Sequence, residues 1–524
     1  MIEAVVFSRR TNIASIFDRK RLCGVVAAST AAEAARQLRT GIAEMRPRPV
    51  LELRLDFLRN EAELHRLLQW LSRQRNLPLL IATCRTRQGG GQFRGDARAE
   101  IRVLKQAVSA GCCWCDVEIE TVEQFRSGEL TKELAPARLL VSAHDFRRLP
   151  SNLAALVARL ERCRPRAIKI AAFCRSLADA RRLLALAHGR SDFVAIPMGE
   201  DALPARILAL REGSALGYAA IAQTTAPGQL TLASLKRVYH LDRLFGGSQR
   251  MNRRTRVYGV IGNPIAHSLS PLLHNTAFAA RGINAVYLPF RVHDLRDFLD
   301  AILPLGIAGF SVTLPHKERL IRYLDYCEPL AAALGAVNTV IVRGGKLCGY
   351  NTDFAGALRA IGKRVPLRSS RVLLWGAGGS ARATAFALAR EGAAVTIAAR
   401  RPAQARALAR AIGGDVIDRS QLRHAFFDVL VNCTPVGMYP GGGSPLESRE
   451  LNCRVVMDLI YRPRKTELLR RAERRGIKTI SGVEMFLAQG MAQWEMWTGE
   501  RAPEAAMRRV VLAALKEEET SANP

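Results

Sequence analysis

The sequence predicts an α/β chain in two halves: an N-terminal (β/α)8 barrel, then a second α/β half that contains a Rossmann-type nucleotide-binding domain. Three observations predict it. Short aliphatic runs alternate with amphipathic helical patterns through residues 22–222. That rhythm breaks at a Gly- and Arg-rich segment, Phe245–Arg254, and restarts at Val257. It restarts again near Arg371, where an apolar strand runs into Gly376-Ala377-Gly378-Gly379-Ser380-Ala381. At 524 residues the chain exceeds what one core can organise.

Taken in order, the expected barrel strands are Leu22–Ala28, Val50–Phe57, Leu79–Arg85, Cys115–Glu120, Leu139–His144, Ala167–Ala171, Phe193–Met198 and Leu216–Ala222. Helical patterns such as Glu61–Arg73 and Ala97–Ala110 separate them. A doubly wound sheet shows a similar alternation, but a count of eight favours closure. The expected boundaries are an N-terminal extension (1–20), the barrel (21–244), a linker (245–256), a substrate domain (257–355), a nucleotide domain (356–484) and C-terminal helices returning to the substrate domain (485–524).

Composition narrows the function classes. The formal charge is +31, from 78 basic and 47 acidic residues. The arginines are scattered at helical spacing, as in Ala154–Arg164 and Arg400–Arg410, with neither a basic tail nor interleaved aromatics. A solvated basic surface is therefore expected, with no nucleic-acid partner. Eleven irregularly spaced cysteines form no disulfide framework, and Cys112, Cys113 and Cys115 lack the second pair a metal site needs. The uncharged stretch Gly213–Leu235 contains Gln223, Thr224, Thr225, Pro227 and Gln229, so no membrane span is expected there. The N-terminus lacks an apolar run behind its charges, and a reducing cytoplasm is the expected location. Oligomeric state is left open.

Polar residues gather at the expected strand ends: Glu52, Arg54, Arg85, Glu118, His144, Lys169 and Gln229. Barrel enzymes carry their chemistry there. Lys169, within Ala167-Ile168-Lys169-Ile170-Ala171, must be paired or deprotonated if buried. It reads either as the partner of a barrel carboxylate or as a nucleophile toward a ketone. His144, one strand earlier, supplies a general acid/base at the same barrel end. In the second half, Gly376, Gly378, Gly379, Ser380 and Ala381 follow a strand and open a helix, the context that cradles a pyrophosphate. The next strand, Ala394–Ala399, ends not in Asp or Glu but in Arg400 and Arg401. Two guanidiniums there suit a 2′-phosphate, so NADP is expected over NAD; the other reading is a plain surface pair.

At these residues two resemblances appear. From Arg21 to Asp242 the chain resembles the type I 3-dehydroquinate dehydratases, through Glu52-Leu53-Arg54-Leu55-Asp56, Arg85 before a Gly-rich turn, Ser142-Ala143-His144-Asp145-Phe146, Lys169-Ile170 and Thr225-Ala226-Pro227-Gly228-Gln229. The resemblance implies that Lys169 forms a Schiff base with the substrate ketone and that His144 moves the protons. It implies that Arg54, Arg85 and Arg206 hold the carboxylate and ring, and that Glu52, Gln229 and Thr225 bind hydroxyls. One position departs: Gly89 stands where that family often carries Glu, so His144 is expected to be held less firmly and to titrate lower, unless Gln88 or Glu118 already does the orienting.

From Val257 to Gly499 the chain resembles shikimate dehydrogenase. The motifs are His267-Ser268-Leu269-Ser270-Pro271, Ser311-Val312-Thr313-Leu314-Pro315-His316-Lys317, Ala336-Val337-Asn338-Thr339, Asn351-Thr352-Asp353, Asn432-Cys433-Thr434-Pro435-Val436-Gly437-Met438, Asp458 with Tyr461, and Gly482–Gln489. They imply catalytic Lys317 and Asp353, and substrate contacts from Ser268, Ser270, Thr313, Asn338, Tyr461 and Gln489. Thr434, Met438 and Gly482 join the glycine loop and Arg400/Arg401 around the coenzyme. Together the two halves imply a bifunctional enzyme: 3-dehydroquinate loses water, and NADPH reduces the product to shikimate. The alternatives are a catabolic quinate/shikimate dehydrogenase preferring NAD, and a basic binding protein on an enzyme scaffold.

Overall fold

The computed structural model describes residues 21–45, 49–226, 228–240, 251–439 and 441–522. The N-terminal extension (1–20), the first part of the linker (245–250) and Pro227 of the Thr-Ala-Pro-Gly-Gln motif lie outside them. By compactness the chain divides into two units. One is Met1–Val257 with Asn284–Gly306, and the other is Tyr258–Ile283 with Ile307–Pro524.

All eight expected barrel strands are present: β1 (Arg21–Val26), β2 (Val50–Arg54), β3 (Leu79–Thr83), β4 (Trp114–Glu118), β5 (Arg138–Asp145), β6 (Ala167–Phe173), β7 (Phe193–Met198) and β8 (Leu216–Ala220). Their order is β7-β6-β5-β4-β3-β2-β1-β8, and neighbouring strands pair in parallel. The sheet is nearly closed. β7 and β8 share no ladder; the Ala215 N–H donates to the Phe193 carbonyl at 2.8 Å, and the Ser214 hydroxyl accepts from Ala195 N–H at 3.1 Å. Alternate residues of the strands fill the lumen, with Cys23, Val50, Ile81, Trp114, Leu140, Ala167, Val194 and Leu216 packed as one cluster. Polar side chains replace this apolar filling toward the carboxyl ends of the strands. Five expected carboxyl ends shorten, those of β1, β2, β3, β4 and β8; β2 turns into a 3-10 turn at Leu55–Phe57, and β4 stops at Glu118, where a helical turn begins at Ile119.

The strands β9 (Arg256–Gly262) and β10 (Ala285–Arg291) follow, and in the second unit β11 (Ile307–Val312), β12 (Tyr326–Cys327), β13 (Thr339–Arg343) and β14 (Lys346–Tyr350) pair in the order β11-β13-β14-β12, with parallel and antiparallel ladders mixed. The third sheet is the expected doubly wound one. It comprises β15 (Arg371–Trp375), β16 (Ala394–Ala398), β17 (Asp415–Val416), β18 (Phe427–Asn432), β19 (Cys453–Asp458) and β20 (Lys478–Ile480), in the order β17-β16-β15-β18-β19-β20 with parallel pairing. The order reverses between β15 and β18, which is where such sheets bind their ligands.

Candidate active sites

In the barrel, strand alternation selects the side chains that meet. β5 and β6 pair with Ser142 opposite Lys169 and His144 opposite Ala171, so the lysine and the histidine come from neighbouring strands. Lys169 is 2% exposed and forms an ion pair with Asp116 of β4. Its Nζ also lies 3.8 Å from Glu52 Oε1 and 4.9 Å from the centre of the Tyr218 ring. Arg85, just past β3, reaches Asp116 with Nη2 at 3.1 Å and Glu118 with Nη1 at 3.4 Å, and Nη1 also contacts the His144 ring. Glu118 is 2.9 Å from His144 Nδ1 and also accepts the His144 backbone N–H at 2.9 Å. The Ser142 hydroxyl lies 2.6 Å from Asp116 and 3.2 Å from Glu118, and its single proton goes to the nearer Asp116.

Burial sets the protonation states. It pushes His144 well below the usual histidine range, helped by Arg85 and Lys169, so the ring is neutral and able to accept a proton near pH 7. Burial also raises Glu118, against the pull of Arg85. Burial would raise Asp116 too, but Lys169 and Arg85 outweigh it and hold this carboxyl below the ordinary range.

Of the groups the sequence offers to orient His144 in place of a carboxylate at position 89, Glu118 is the one in contact with it. A Cβ added at Gly89 would lie 3.4 Å from Glu118 Cδ, so Glu118 already occupies that neighbourhood and orients the ring. His144 is lowered from the ordinary histidine range for a different reason, with burial as the leading cause.

The other barrel residues are more dispersed. Arg54 closes a two-point pair with Asp56 at 3.0 and 2.8 Å. Glu52 accepts the Thr83 hydroxyl at 2.8 Å. Gln229 Oε1 accepts both the backbone N–H and the hydroxyl of Thr225, at 2.7 and 3.1 Å. Arg206 sits on the helix Leu203–Glu212 and lines a small cavity with Ile196, Tyr218 and Leu230; burial lowers its guanidinium to about 10. Asp116 and Tyr218 were missed by the sequence reading. The signal for Asp116 was available: it alternates with Glu118 in an otherwise apolar strand, so both face one side.

In the second unit Lys317 lies in the helical turn His316–Arg319, beyond β11, with Nζ 2.5 Å from Asp353 Oδ2. Asp353 opens the helix Asp353–Gly362. Its Oδ1 accepts Asn338 Nδ2 at 2.7 Å, and the same amide lies 3.3 Å from Gln489 Oε1 on the helix Gly482–Thr498. Asn338 Oδ1 accepts the Thr339 hydroxyl and the Thr352 N–H, both at 2.7 Å, so its amide cannot flip. Gln493, one turn after Gln489, accepts the Ser311 hydroxyl at 3.0 Å and donates to Thr339 at 3.1 Å; the sequence reading missed it. Ser268 accepts the Ser270 N–H at 3.2 Å where the helix Ser270–Arg281 begins. The Thr313 N–H donates to Ile261 at 2.9 Å. Among the described residues no hydrogen bond joins Ser268, Ser270 or Thr313 to the Lys317–Asp353 pair.

The glycine loop fits a dinucleotide. Gly376 has φ +122°, a value L side chains rarely adopt. Gly378 caps the helix Gly379–Arg390, and a Cβ added at Gly378 or Gly379 meets nothing within 4 Å. The first N–H groups of that helix therefore face open space suited to an anion. Ala381 is wholly buried beneath the loop and Ser380 is exposed. Arg400 and Arg401 are exposed just past β16 and form no ion pair among the described residues. Thr434 follows β18, its hydroxyl donating to Asn432 at 2.7 Å, and Met438 is 50% exposed. A Cβ at Gly482 would come within 2.5 Å of the Leu459 and Ile460 carbonyl oxygens, so only glycine fits there. Tyr461 stacks on Phe486 with ring centres 5.0 Å apart.

The comparisons with known proteins agree with this division. Residues 22–245 match the family model for type I 3-dehydroquinase, residues 260–340 that for the shikimate dehydrogenase substrate binding domain, and residues 482–512 that for the shikimate 5'-dehydrogenase C-terminal domain. The chloroplastic bifunctional 3-dehydroquinate dehydratase/shikimate dehydrogenase of Arabidopsis thaliana is 35% identical over 480 residues, covering 87% of this chain and 78% of that one. The NADP(+) shikimate dehydrogenase of Thermococcus kodakarensis is 43% identical over 271 residues, 50% of this chain and 98% of that one. A solved shikimate 5-dehydrogenase from Thermus thermophilus, in complex with NADP(H) and shikimate, is 35% identical with a TM-score of 0.46, covering 49% of this chain and 99% of that one. Among the described residues no helix is long and apolar enough to cross a membrane. Matched in both halves and along most of its length, the chain belongs to the family of bifunctional 3-dehydroquinate dehydratase/shikimate dehydrogenases.

Proposed function

We propose that this chain performs two consecutive steps of the shikimate pathway: dehydration of 3-dehydroquinate in the barrel, and NADPH-dependent reduction of the product to shikimate in the second half. The observation that carries the reading is the buried Lys169, held between Asp116 and Glu52 one strand from a neutral His144. The residue roles below, and the boundaries 21–244, 257–355, 356–484 and 485–524, belong to the same proposal. The Arg281 side chain, which donates to the Arg501 carbonyl at 2.9 Å, supports the return of the C-terminal helices to the substrate domain.

In the barrel, the Lys169 amine attacks the C3 carbonyl; the carbonyl oxygen leaves as water and an imine forms. His144 removes the C2 proton, and the electron pair is held as an enamine. As that pair expels the C1 hydroxyl, His144 returns its proton and water leaves. Hydrolysis of the remaining imine restores the amine and releases 3-dehydroshikimate. When Lys169 gives up its charge, Arg85 remains 3.1 Å from Asp116, so no buried carboxylate is stranded. Arg206 and Arg54 would hold the substrate carboxylate and ring, and Glu52, Thr225 and Gln229 the hydroxyls.

In the second half, Ser268, Ser270 and Thr313 would take the substrate carboxylate, and Asn338, Tyr461 and Gln489 would position the ring. Lys317, set by Asp353, donates a proton to the carbonyl oxygen being reduced. The glycine loop and Arg400/Arg401 would hold NADP, with Thr434, Met438 and Gly482 lining its remainder; when bound, the coenzyme supplies the hydride. The eleven unpaired cysteines support a reducing compartment.

The test is a coupled assay. With 3-dehydroquinate and NADPH as the only additions, NADPH oxidation and shikimate formation are expected to rise together. Accumulation of 3-dehydroshikimate without NADPH oxidation would end the bifunctional reading.

A further inference from the structure

The helices that carry the dehydrogenase residues have a second face. A cavity of about 320 Å³ lies there, lined by Arg281, Arg359, Met491, Glu495, Arg501 and Glu504, all within the second unit. Its two carboxylates are already engaged. Glu495 accepts the Ala502 N–H at 3.2 Å, and Glu504 pairs with Arg508 at 3.2 Å and Lys363 at 4.0 Å. The guanidiniums are not matched in the same way. Arg281 donates to the Arg501 carbonyl at 2.9 Å, while Arg359 and Arg501 form no side-chain hydrogen bond or ion pair among the described residues. Three arginines converging on one cavity, with a buried methionine among its lining residues, form a site for a small organic anion carrying two or more negative charges.

Its location gives it a lever. Arg359 lies two turns along the helix that begins with Asp353, and Met491 and Glu495 lie on the helix that carries Gln489 and Gln493. The two helices touch backbone to backbone: a Cβ at Gly356 would lie 2.9 Å from the Met485 carbonyl oxygen and 3.4 Å from the Gln489 nitrogen. At their far side both meet Asn338, through Asp353 at 2.7 Å and Gln489 at 3.3 Å. We infer that a small polyanion, carboxylate or phosphate, binds between Arg281, Arg359 and Arg501 and modulates the dehydrogenase by shifting these two helices against each other.

The inference goes beyond the proposed activity, and its binding arm is independent of it. Calorimetric titration of the full chain with pyrophosphate and with citrate is run with NADP saturating, so that the Arg400/Arg401 region is already filled. Both probes are expected to bind one site, and Arg359→Ala/Arg501→Ala is expected to weaken them roughly a hundredfold by removing two charge-assisted contacts. Arg400→Ala/Arg401→Ala should leave this binding unchanged. Binding of only one probe would assign the site to phosphate or to carboxylate ligands and support it. In steady-state assays the bound anion should change the KM for the dehydrogenase substrate in the parent chain but not in the double variant, whose activity without anion stays at the parent level. Absent binding, or binding that survives Arg359→Ala/Arg501→Ala, would overturn the site. Binding with no change in KM or kcat would overturn the coupling.

Discussion

Each half of the chain sets a lysine against an aspartate, yet the two pairs live in different surroundings. The Lys169 and Asp116 side chains are 3% and 0% exposed inside the barrel. Those of Lys317 and Asp353 are 28% and 14% exposed in an open site. An ion pair in a dry interior feels a much stronger field than one near water, and its charges are costly unless every neighbour compensates. Arg85, Glu118, Ser142 and Glu52 surround the barrel pair accordingly. The dehydrogenase pair rests on Asn338 and is partly exposed. The difference teaches what each lysine is for. On the proposed mechanism one must lose its charge to attack carbon, while the other must keep a proton ready and replace it from solvent.

Exchanging the lysines for arginine strains this contrast most. Lys169→Arg keeps a cation but cannot form an imine, so dehydratase activity is expected to vanish, together with borohydride-dependent mass addition at this position. Lys317→Arg keeps charge near Asp353, so dehydrogenase activity should fall by no more than the roughly 10²–10⁴-fold typical of impaired general acid catalysis. Each variant should leave the other activity intact. An active Lys169→Arg enzyme would break the comparison at its first term.

The coenzyme prediction is smaller and uses the exposed side of the contrast. Arg400→Ala/Arg401→Ala should weaken NADPH by about one to two orders of magnitude while barely changing NADH, and the loss should shrink at high salt because both side chains are exposed. Equal weakening of both coenzymes would make the pair structural.

The smallest effect concerns the pH profile of the dehydratase. His144 must be neutral to act as a base, and burial places its titration below the ordinary range. Glu118→Gln removes a negative neighbour 2.9 Å away, which disfavours the imidazolium further, so the acidic limb should move to lower pH, by roughly one unit. Gly89→Glu would add a carboxylate close to Arg85 and Glu118 and move the limb upward by less, since Glu118 already serves the ring. The dehydrogenase profile should not respond to either change. A profile untouched by Glu118→Gln would leave Arg85 and desolvation as the controls on His144.

Much of this was legible from the residues. Eight aliphatic runs in one rhythm gave the barrel because strand and helix periods are local properties, and each run carries its own signal. The glycine loop was legible for the same reason, as its backbone demands are written within six positions. Lys169 and His144 could be singled out because polar residues at the ends of apolar strands are costly and therefore informative. What the chain order could not express was which charges meet across strands. That Asp116 would pair with Lys169, 53 positions later, and that Glu118 rather than Gln88 would face His144, depended on the curvature of the barrel sheet, which brings alternate residues of successive strands into one lumen. Likewise the contacts of Asn338 with Asp353 and Gln489, the latter 151 positions away, and the cavity between Arg281, Arg359 and Arg501 exist only because separate helices pack side by side. Local periodicity determined the elements; long-range packing decided which side chains share a site and which charges they carry there.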